Sequence, residues 1–452
     1  MSRIEAPSGQ VAHDRDDVLK VLTFGLAVGE SMLESSIATS DVEELLRRLT
    51  ASFGLGHCEV SITLNVITMC LLHSTEGPIT LVKVVDIGEP RLDRVIALEQ
   101  LGRDVEAGRV DIEEATRQVG RLRTESTGVV RWVRLLALTV SVAAWVVFAG
   151  GGLVGAAAGL LGALVIELTV LPLARTKLPV VFVGMLAAFV AVSAPSVFAW
   201  LDAPIVLGPA IIGGLYPLLP GGLLVASVSD GLSGAPLSAM AKGLQAAVAA
   251  TATAVGVLAA LDLVARLGIT SDAVAGPPPD WLVASSGAIA VAALGVARSM
   301  PTALVMSTAG LAAGSWAIAR WAGDGAAGLS IGVLAAAGAL GLGAQVAARL
   351  HRTPAVVFIS VAVFVLVPGV TFYLSMLAFS QGNSSSGAEL LIRSLGVAAS
   401  IAAGVGLGSA IGRSVPEPRP RVRVWRPRSE RSGAGGVNVP ARRVHFSPRS
   451  SR

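Results

Sequence analysis

Five ionisable side chains occupy or border long apolar stretches, where a charge is costly unless it is paired or used. Glu167 lies within Leu164-Val-Ile-Glu167-Leu-Thr-Val-Leu171. A carboxylate there can carry a proton or, near a helix end, reach out to water. Asp230 and Lys242 bracket one short polar loop, and Glu389 and Arg393 come after another. An acid and a base close together can receive the two charges of a zwitterion, or they can neutralise each other. The chain's two tyrosines, Tyr216 and Tyr373, fall one in each of two interrupted apolar runs. Either hydroxyl can hydrogen-bond a small polar substrate, although chance placement is a competing explanation.

What must position these groups is a pair of helix breaks. Ile211–Gly222 reads IIGGLYPLLPGG inside the apolar run 203–228. Pro217 and Pro220 each remove an amide donor and crowd the carbonyl four residues back, and Gly221 and Gly222 loosen the next turn of the chain. A second run, 354–379, contains Phe364-Val-Leu-Val-Pro368-Gly369. In hydrocarbon a freed carbonyl must find protein or water, so broken membrane helices line cavities. Interrupted segments at corresponding places of two halves point to a transporter's binding site, although proline and glycine are common in membrane helices generally. The loop beyond each break pairs Gly234–Gly243 with Gly387–Gly396.

Composition agrees. Of 452 residues 53% are hydrophobic and 15% charged, with a mean hydropathy of +0.70, which is too apolar for a soluble protein of this size. Ten stretches long enough to cross a bilayer succeed one another: 133–150, 153–172, 178–200, 203–229, 239–266, 281–298, 301–320, 326–348, 354–379 and 389–411. Arg121, Arg123, Arg131, Arg134, Arg175, Lys177, Lys242, Arg298, Arg349 and Arg352 all fall on one side if both termini are cytoplasmic, with Arg266 and Arg320 opposite. Five spans per half then insert the second half upside down. The fold expected is an α-helical integral membrane protein: ten transmembrane helices in an inverted five-plus-five repeat, preceded by a small cytoplasmic α+β domain.

The expected divisions are a disordered lead (1–16), the α+β domain (17–130), the two membrane halves (131–270 and 271–412) and a disordered arginine-rich tail (413–452). Within 17–125 the pattern predicts a helix over 17–34 and a second capped by Ser40 with Glu43 three residues on. A hairpin of 59–72 with 78–85 and two amphipathic helices complete the domain. The tail carries eleven arginines and two glutamates, which suits anionic lipid headgroups better than nucleic acid. Phosphate-loop, HExxH and CxxC patterns do not occur, and none of the five histidines falls inside an expected span. That argues against ATP hydrolysis, a metal or any other cofactor in this chain. Gly231-Leu-Ser233-Gly234 matches an intramembrane serine protease pattern but has no histidine base on a later span, so no enzymatic role is expected. A hydrolytic N-terminal domain, the alternative, has only His57, His73 and Cys58 near its hairpin.

Several of these residues carry a resemblance. Leu33-Glu-Ser-Ser-Ile-Ala-Thr-Ser-Asp-Val-Glu43, the hairpin, the helices of 92–119, the Leu219-Pro-Gly-Gly222 break and the 230–243 segment resemble the threonine/serine exporter family over about residues 17–412. Where that family usually has a glycine, this chain has Ser35-Ser36-Ile37. The resemblance implies a ten-span inner-membrane protein that exports threonine and serine, driven by the proton gradient or membrane potential. Some two-chain relatives are associated with dicarboxylates, which leaves that substrate as an alternative. The expected pathway comprises Glu167, Tyr216, Pro217, Pro220, Gly221, Gly222, Asp230, Lys242, Pro368, Gly369, Tyr373, Glu389 and Arg393. The partners expected are a small amino acid, protons and anionic lipids, with a homo-oligomer left open.

Overall fold

The computed structural model describes residues 15–415 other than 36, 74–76, 87–90, 125–128, 171, 174–175, 177, 233, 270–277 and 324–330. The expected lead and basic tail, Arg175, Lys177 and Ser233 therefore lie wholly or largely outside the described residues.

The first elements are α1 (Arg15–Glu34), α2 (Thr39–Ser52), β1 (Glu59–Thr63), β2 (Val66–His73), β3 (Gly77–Val84), α3 (Leu92–Glu106) and α4 (Ile112–Thr124). Their apolar faces meet in a core of Leu22, Phe24, Leu45, Leu46, Leu49, Ile67, Met69, Val95 and Leu98, all buried. Gly25 and Gly29 of α1 leave room for Met69 and Ile67 of the sheet, so helix and strand approach closely. Two expectations change here. The run 59–72 is two strands, not one, folded back at Leu64 (φ 57) and Asn65 into an antiparallel meander in the order β1-β2-β3. Ser40 is not the cap of α2: the helix starts at Thr39 after Ala38, whose side chain caps nothing. Glu43, expected to reach back to that end, instead accepts the Ile62 N–H at 2.7 Å.

The apolar part then runs in two series of the same make-up. The first is α5 (Arg131–Phe148), α6 (Leu153–Val165) with a π turn Ile166–Val170, α7 (Val180–Trp200), α8 (Leu207–Leu215), α9 (Gly221–Leu232) and α10 (Pro236–Arg266). The second is α11 (Asp280–Ala297), α12 (Thr302–Ala322), α13 (Ile331–His351), α14 (Ala355–Ala362), α15 (Gly369–Ser380) and α16 (Ser384–Ser414). Eight of these helices are long and apolar enough to cross a membrane. The pairs α8–α9 and α14–α15, bent by 43° and 45°, bring the number to ten if each pair is one span. Leu153, Val180, Trp200, Met306 and Trp321 point outward, as lipid-facing side chains do. This is a multi-pass helical membrane protein.

The correspondence reaches single residues. After the first helix of each series the chain turns through positive φ at Gly150 and Ser299, and after the third at Asp202 and Arg352. Before the last it does so at Gly234 and Gly382, 148 residues apart. At the same spacing Ser227 Oγ donates to Ala239 O and Ser375 Oγ to Gly387 O, both at 2.7 Å. This register corrects the loop pairing: Gly387–Gly396 is not the counterpart of Gly234–Gly243, but begins five residues beyond it. Glu389 and Arg393 consequently have no correspondence with Asp230 and Lys242, whose equivalents are Ala378 and Leu390. His351, expected between spans, is the last residue of α13, its Nε2 2.9 Å from Ser307 Oγ.

Helices α7 and α10 pack together, as do α13 and α16, while α5 joins α11 across the two series. Each arm beyond a bend packs chiefly on the next helix of its own series, α9 on α10 and α15 on α16, and also touches that of the other series, α9 on α16 and α15 on α10. Contact is by backbone: a Cβ on Gly408 would run into the Gly338 carbonyl, and one on Gly256 into that of Met185. Gly408→Val is therefore expected to force α13 and α16 apart at a cost of about 1–3 kcal/mol, read as a lower thermal midpoint in detergent. The same substitution at Gly310, which has open space around it, should leave the midpoint nearly unchanged.

Candidate functional site

The two breaks cross at the centre of the molecule. In each, a 3-10 turn leads into a tight turn around the proline, closed by Gly221 N–H to Leu219 O and by Gly369 N–H to Val367 O, both 2.8 Å. Proline has no N–H to continue the helix, and the glycine after it can sit against another chain segment. A Cβ on Gly369 would be 3.1 Å from the Tyr216 ring, and one on Gly221 3.2 Å from Val367. Tyr216 is buried and stacked on Trp145, centroids 4.2 Å apart and planes 5° from parallel, with Phe148 edge-on at 6.0 Å. Tyr373 is wholly buried on α15. Tyr216 thus serves the packing of the crossing.

On one side of this crossing lies a cavity of about 1880 Å³. It starts under α2 and α3 and ends at the bends, with Pro217, Leu218, Pro220 and Gly222 on one wall and Ile359, Ser360 and Phe364 on the other. Its chemistry is supplied largely from turns and helix ends. Arg298, after α11, donates from Nη1 to Ser360 O at 2.7 Å and lies over the Phe364 ring, 5.0 Å from its centroid. Arg349, Arg352 and Arg413 add further positive charge, and Asp41, Glu44, Glu99 and Glu106 face them from α2 and α3. Arg48 pairs with Glu99 at 3.0 Å and Glu106 at 3.3 Å. Of the expected pathway residues the cavity touches Pro217, Pro220 and Gly222; the others are placed elsewhere. Gly221, Pro368 and Gly369 form the bends, Glu167 lies in the π turn after α6, and Glu389 and Arg393 are exposed on α16.

Asp230 and Lys242 come together. Their carboxylate and ammonium are 2.7 Å apart with side chains 0% and 5% exposed. The other oxygen of Asp230 accepts the Thr39 N–H at 3.0 Å, so a membrane-part carboxylate supplies the cap that Ser40 does not. A negative charge at that helix end is favoured by the unpaired amides of the first turn. Beside it the Leu64 N–H donates to Ser238 Oγ at 3.0 Å. A second contact lies at the turn between α11 and α12, where Leu92 N–H donates to Arg298 O at 3.2 Å and Val129 N–H to Ser299 Oγ at 3.4 Å.

Asp41, one turn into α2, is half-buried at the cavity wall and makes no ion pair among the described residues. Burial lifts its carboxyl from 3.8 to about 6, against the pull of Arg413 and with Glu44 and Asp230 adding to the rise. Cys58 is buried and its thiol is pushed up to about 11 by that burial, which leaves little thiolate for nucleophilic chemistry. Side-chain placement of His73 lies outside the described residues, and His57 is exposed.

Sequence reasoning did not find Asp41, Arg298 and Arg413 as cavity residues. Arg298 was visible only as a loop charge, and Asp41 as part of a helix start.

A helical membrane protein with two crossed, proline-broken helices and a charged cavity ending at them belongs to the class of membrane transporters. Similarity to known proteins makes this specific. The family model described as "Putative threonine/serine exporter" matches residues 23–264, and a second, "Threonine/Serine exporter, ThrE", matches 284–411. The chain belongs to the threonine/serine exporter family. It is 26% identical over 429 residues to a protein named "Threonine/serine exporter" from Corynebacterium glutamicum, covering 91% of this chain and 86% of that one. It is 27% identical over 412 residues to one named "Probable threonine/serine exporter" from Mycobacterium tuberculosis, covering 88% and 77%. No solved structure matches.

The geometry leads to two expected outcomes. Asp230→Ala leaves the Lys242 ammonium buried without its partner and should cost about 3–5 kcal/mol, whereas the double change Asp230→Ala, Lys242→Met should recover most of that loss in thermal unfolding. Because folding raises the Asp41 pKa, the folded chain keeps a proton that the unfolded chain has lost between about pH 4 and pH 6. Stability contributed there is present below pH 4 and lost as pH rises through 6. Thermal midpoints of Asp41→Asn should therefore fall less steeply across that window than those of the parent.

Proposed function

We propose that this protein exports small polar amino acids, threonine and serine, from the cytoplasm, driven by the proton gradient or the membrane potential. The observation that carries the reading is the cavity that leads from beneath α2 and α3 to both helix bends. Half-helices that end at a cavity leave backbone groups for a polar substrate and let each half rock about the bend. The names of the two relatives support the substrate class. On this reading the two series are inverted halves of five spans each, and the arms α9 and α15 alternate in opening the two sides. The residue-level correspondence of turns at Gly150 and Ser299, Asp202 and Arg352, and Gly234 and Gly382 favours it. Both termini are then cytoplasmic, which places the arginine-lined cavity face inside. Glu167 and Asp41 are the carboxylates through which a proton would couple. Dicarboxylate export is the second reading, favoured by the four arginines that the membrane part adds to the cavity lining, Arg298, Arg349, Arg352 and Arg413.

Efflux from preloaded proteoliposomes decides between them. The expected result is loss of labelled threonine and serine that a protonophore slows, and that Pro220→Leu reduces at least tenfold while the protein still inserts. Succinate efflux alone would establish the second reading. Efflux of none of the three would overturn both.

A further inference from the structure

We infer that residues 15–124 are the gate of this transporter: a clamp laid across an arm of each broken helix, with the Asp230–Lys242 pair as its catch. The inference rests on the proposal that the two halves move against one another.

Three observations carry it. First, the domain touches both series. Helix α2 packs on α9, the arm beyond the first bend, and α3 packs on α14, the arm before the second. The polar contacts divide in the same way, with Thr39 and Leu64 bound to Asp230 and Ser238 of the first series, and Leu92 to the Arg298 carbonyl of the second. A rigid body fixed to both arms holds them at one separation. If the halves rock, one set of contacts must open.

Second, the catch belongs to the first series alone. The backbone repeats 148 residues on, down to Ser227 and Ser375, yet Ala378 and Leu390 stand where Asp230 and Lys242 do. A pair needed by the alternating machinery itself would be expected in both halves. One that receives a domain present once is needed once. The pair also lies outside the cavity lining, with Thr39 wholly buried against it, so it serves the domain contact and not the substrate path.

Third, the contacts are suited to release. The contacts are a few hydrogen bonds, Thr39 to Asp230, Leu92 to the Arg298 carbonyl, and Ser238 Oγ between the Leu64 N–H and the Ile62 carbonyl, with no disulfide: the described cysteines are both free. The Thr39 N–H depends on a charged acceptor, and such a bond is stronger than a neutral one. Removing that charge, or drawing Lys242 away, weakens the whole α2 contact at once. The cavity lies directly beneath, lined by Ile37, Ala38 and Asp41 of the same segment, so lifting α2 opens the entrance.

Hydrogen exchange of the full chain in lipid nanodiscs tests this without relying on transport. Asp230→Asn keeps the shape and removes the charge, and Lys242→Gln provides an independent variant. In both, amides 39–45 and that of Leu92 should exchange at least tenfold faster together, with the α13–α16 interface unchanged as reference. Faster exchange confined to 39–45, with Leu92 at the parent rate, would overturn the clamp and leave a local contact. A second arm joins the surfaces covalently, Leu64→Cys with Ser238→Cys, in a Cys58→Ser, Cys70→Ser background. Oxidised protein should export threonine at least tenfold more slowly than the same protein after reduction. Equal rates would also overturn the clamp. Absence of efflux even in the reduced protein would count against the proposed function, while the exchange result would still decide the clamp.

Discussion

A backbone amide or carbonyl in the apolar interior must find a partner, and this requirement governs the centre of the molecule. Pro220 and Pro368 break the hydrogen-bond ladder between the two helices of each bent pair. The broken ends are tolerated because each is closed by a local turn and laid against the other, Gly369 on the Tyr216 ring and Gly221 on Val367. Neither break would be stable facing lipid. The aromatic stack of Trp145 on Tyr216 fills the space beside the crossing and fixes where the cavity stops. This constraint accounts for the contact of each arm with both series and for the cavity that ends at the bends.

The two series repeat their backbone and not their chemistry. Positive-φ turns, serine bonds and glycine contacts recur at nearly constant spacing, because they set how helices stop and how close they lie. Charges do not recur. Gly150 corresponds to Ser299, and Ala149 stands where Arg298 does, so the cation that reaches the second bend has no counterpart at the first. Asp230 and Lys242 have apolar equivalents. A fold built from two like halves thus acquires a single cavity face and a single docking site through substitutions at the ends of helices, where a charge can be satisfied by main chain or by solvent.

The bends could be read from the sequence because proline and glycine act on the backbone directly, whatever surrounds them. The helix lengths could be read because a bilayer-length apolar run leaves few alternatives. Contacts between distant segments could not. Thr39 and Asp230 are 191 residues apart, and nothing local to Ser40-Asp-Val-Glu43 says that its cap comes from a membrane helix. The local rule favoured Ser40, and a buried carboxylate prevailed over it because an anion with Lys242 behind it is the stronger acceptor. The turn at Leu64–Asn65 was missed for a related reason: it lacks the glycine that announces a hairpin, and Leu64 adopts φ 57 while its N–H is held by Ser238. Glycine spacing by itself sets the second loop five residues out of register, because glycines recur there without marking the turn, whereas the bonds of Ser227 and Ser375 fix the register.

The charges along the cavity divide by origin, and that division bears on what the site can hold. The membrane part contributes four arginines, Arg298, Arg349, Arg352 and Arg413, whereas α2, α3 and the turn after α3 contribute Asp41, Glu44, Glu99 and Glu106 together with Arg48, Arg103 and Arg109. On the proposed reading, the excess of positive charge on the membrane wall draws the carboxylate of a zwitterion to that side. Arg48, held between Glu99 and Glu106, and Arg103 beside Glu99 neutralise part of the domain wall, while Asp41 makes no ion pair among the described residues. Asp41 lies two residues beyond the amide that Asp230 holds, so whatever moves the first turn of α2 moves this carboxylate with it.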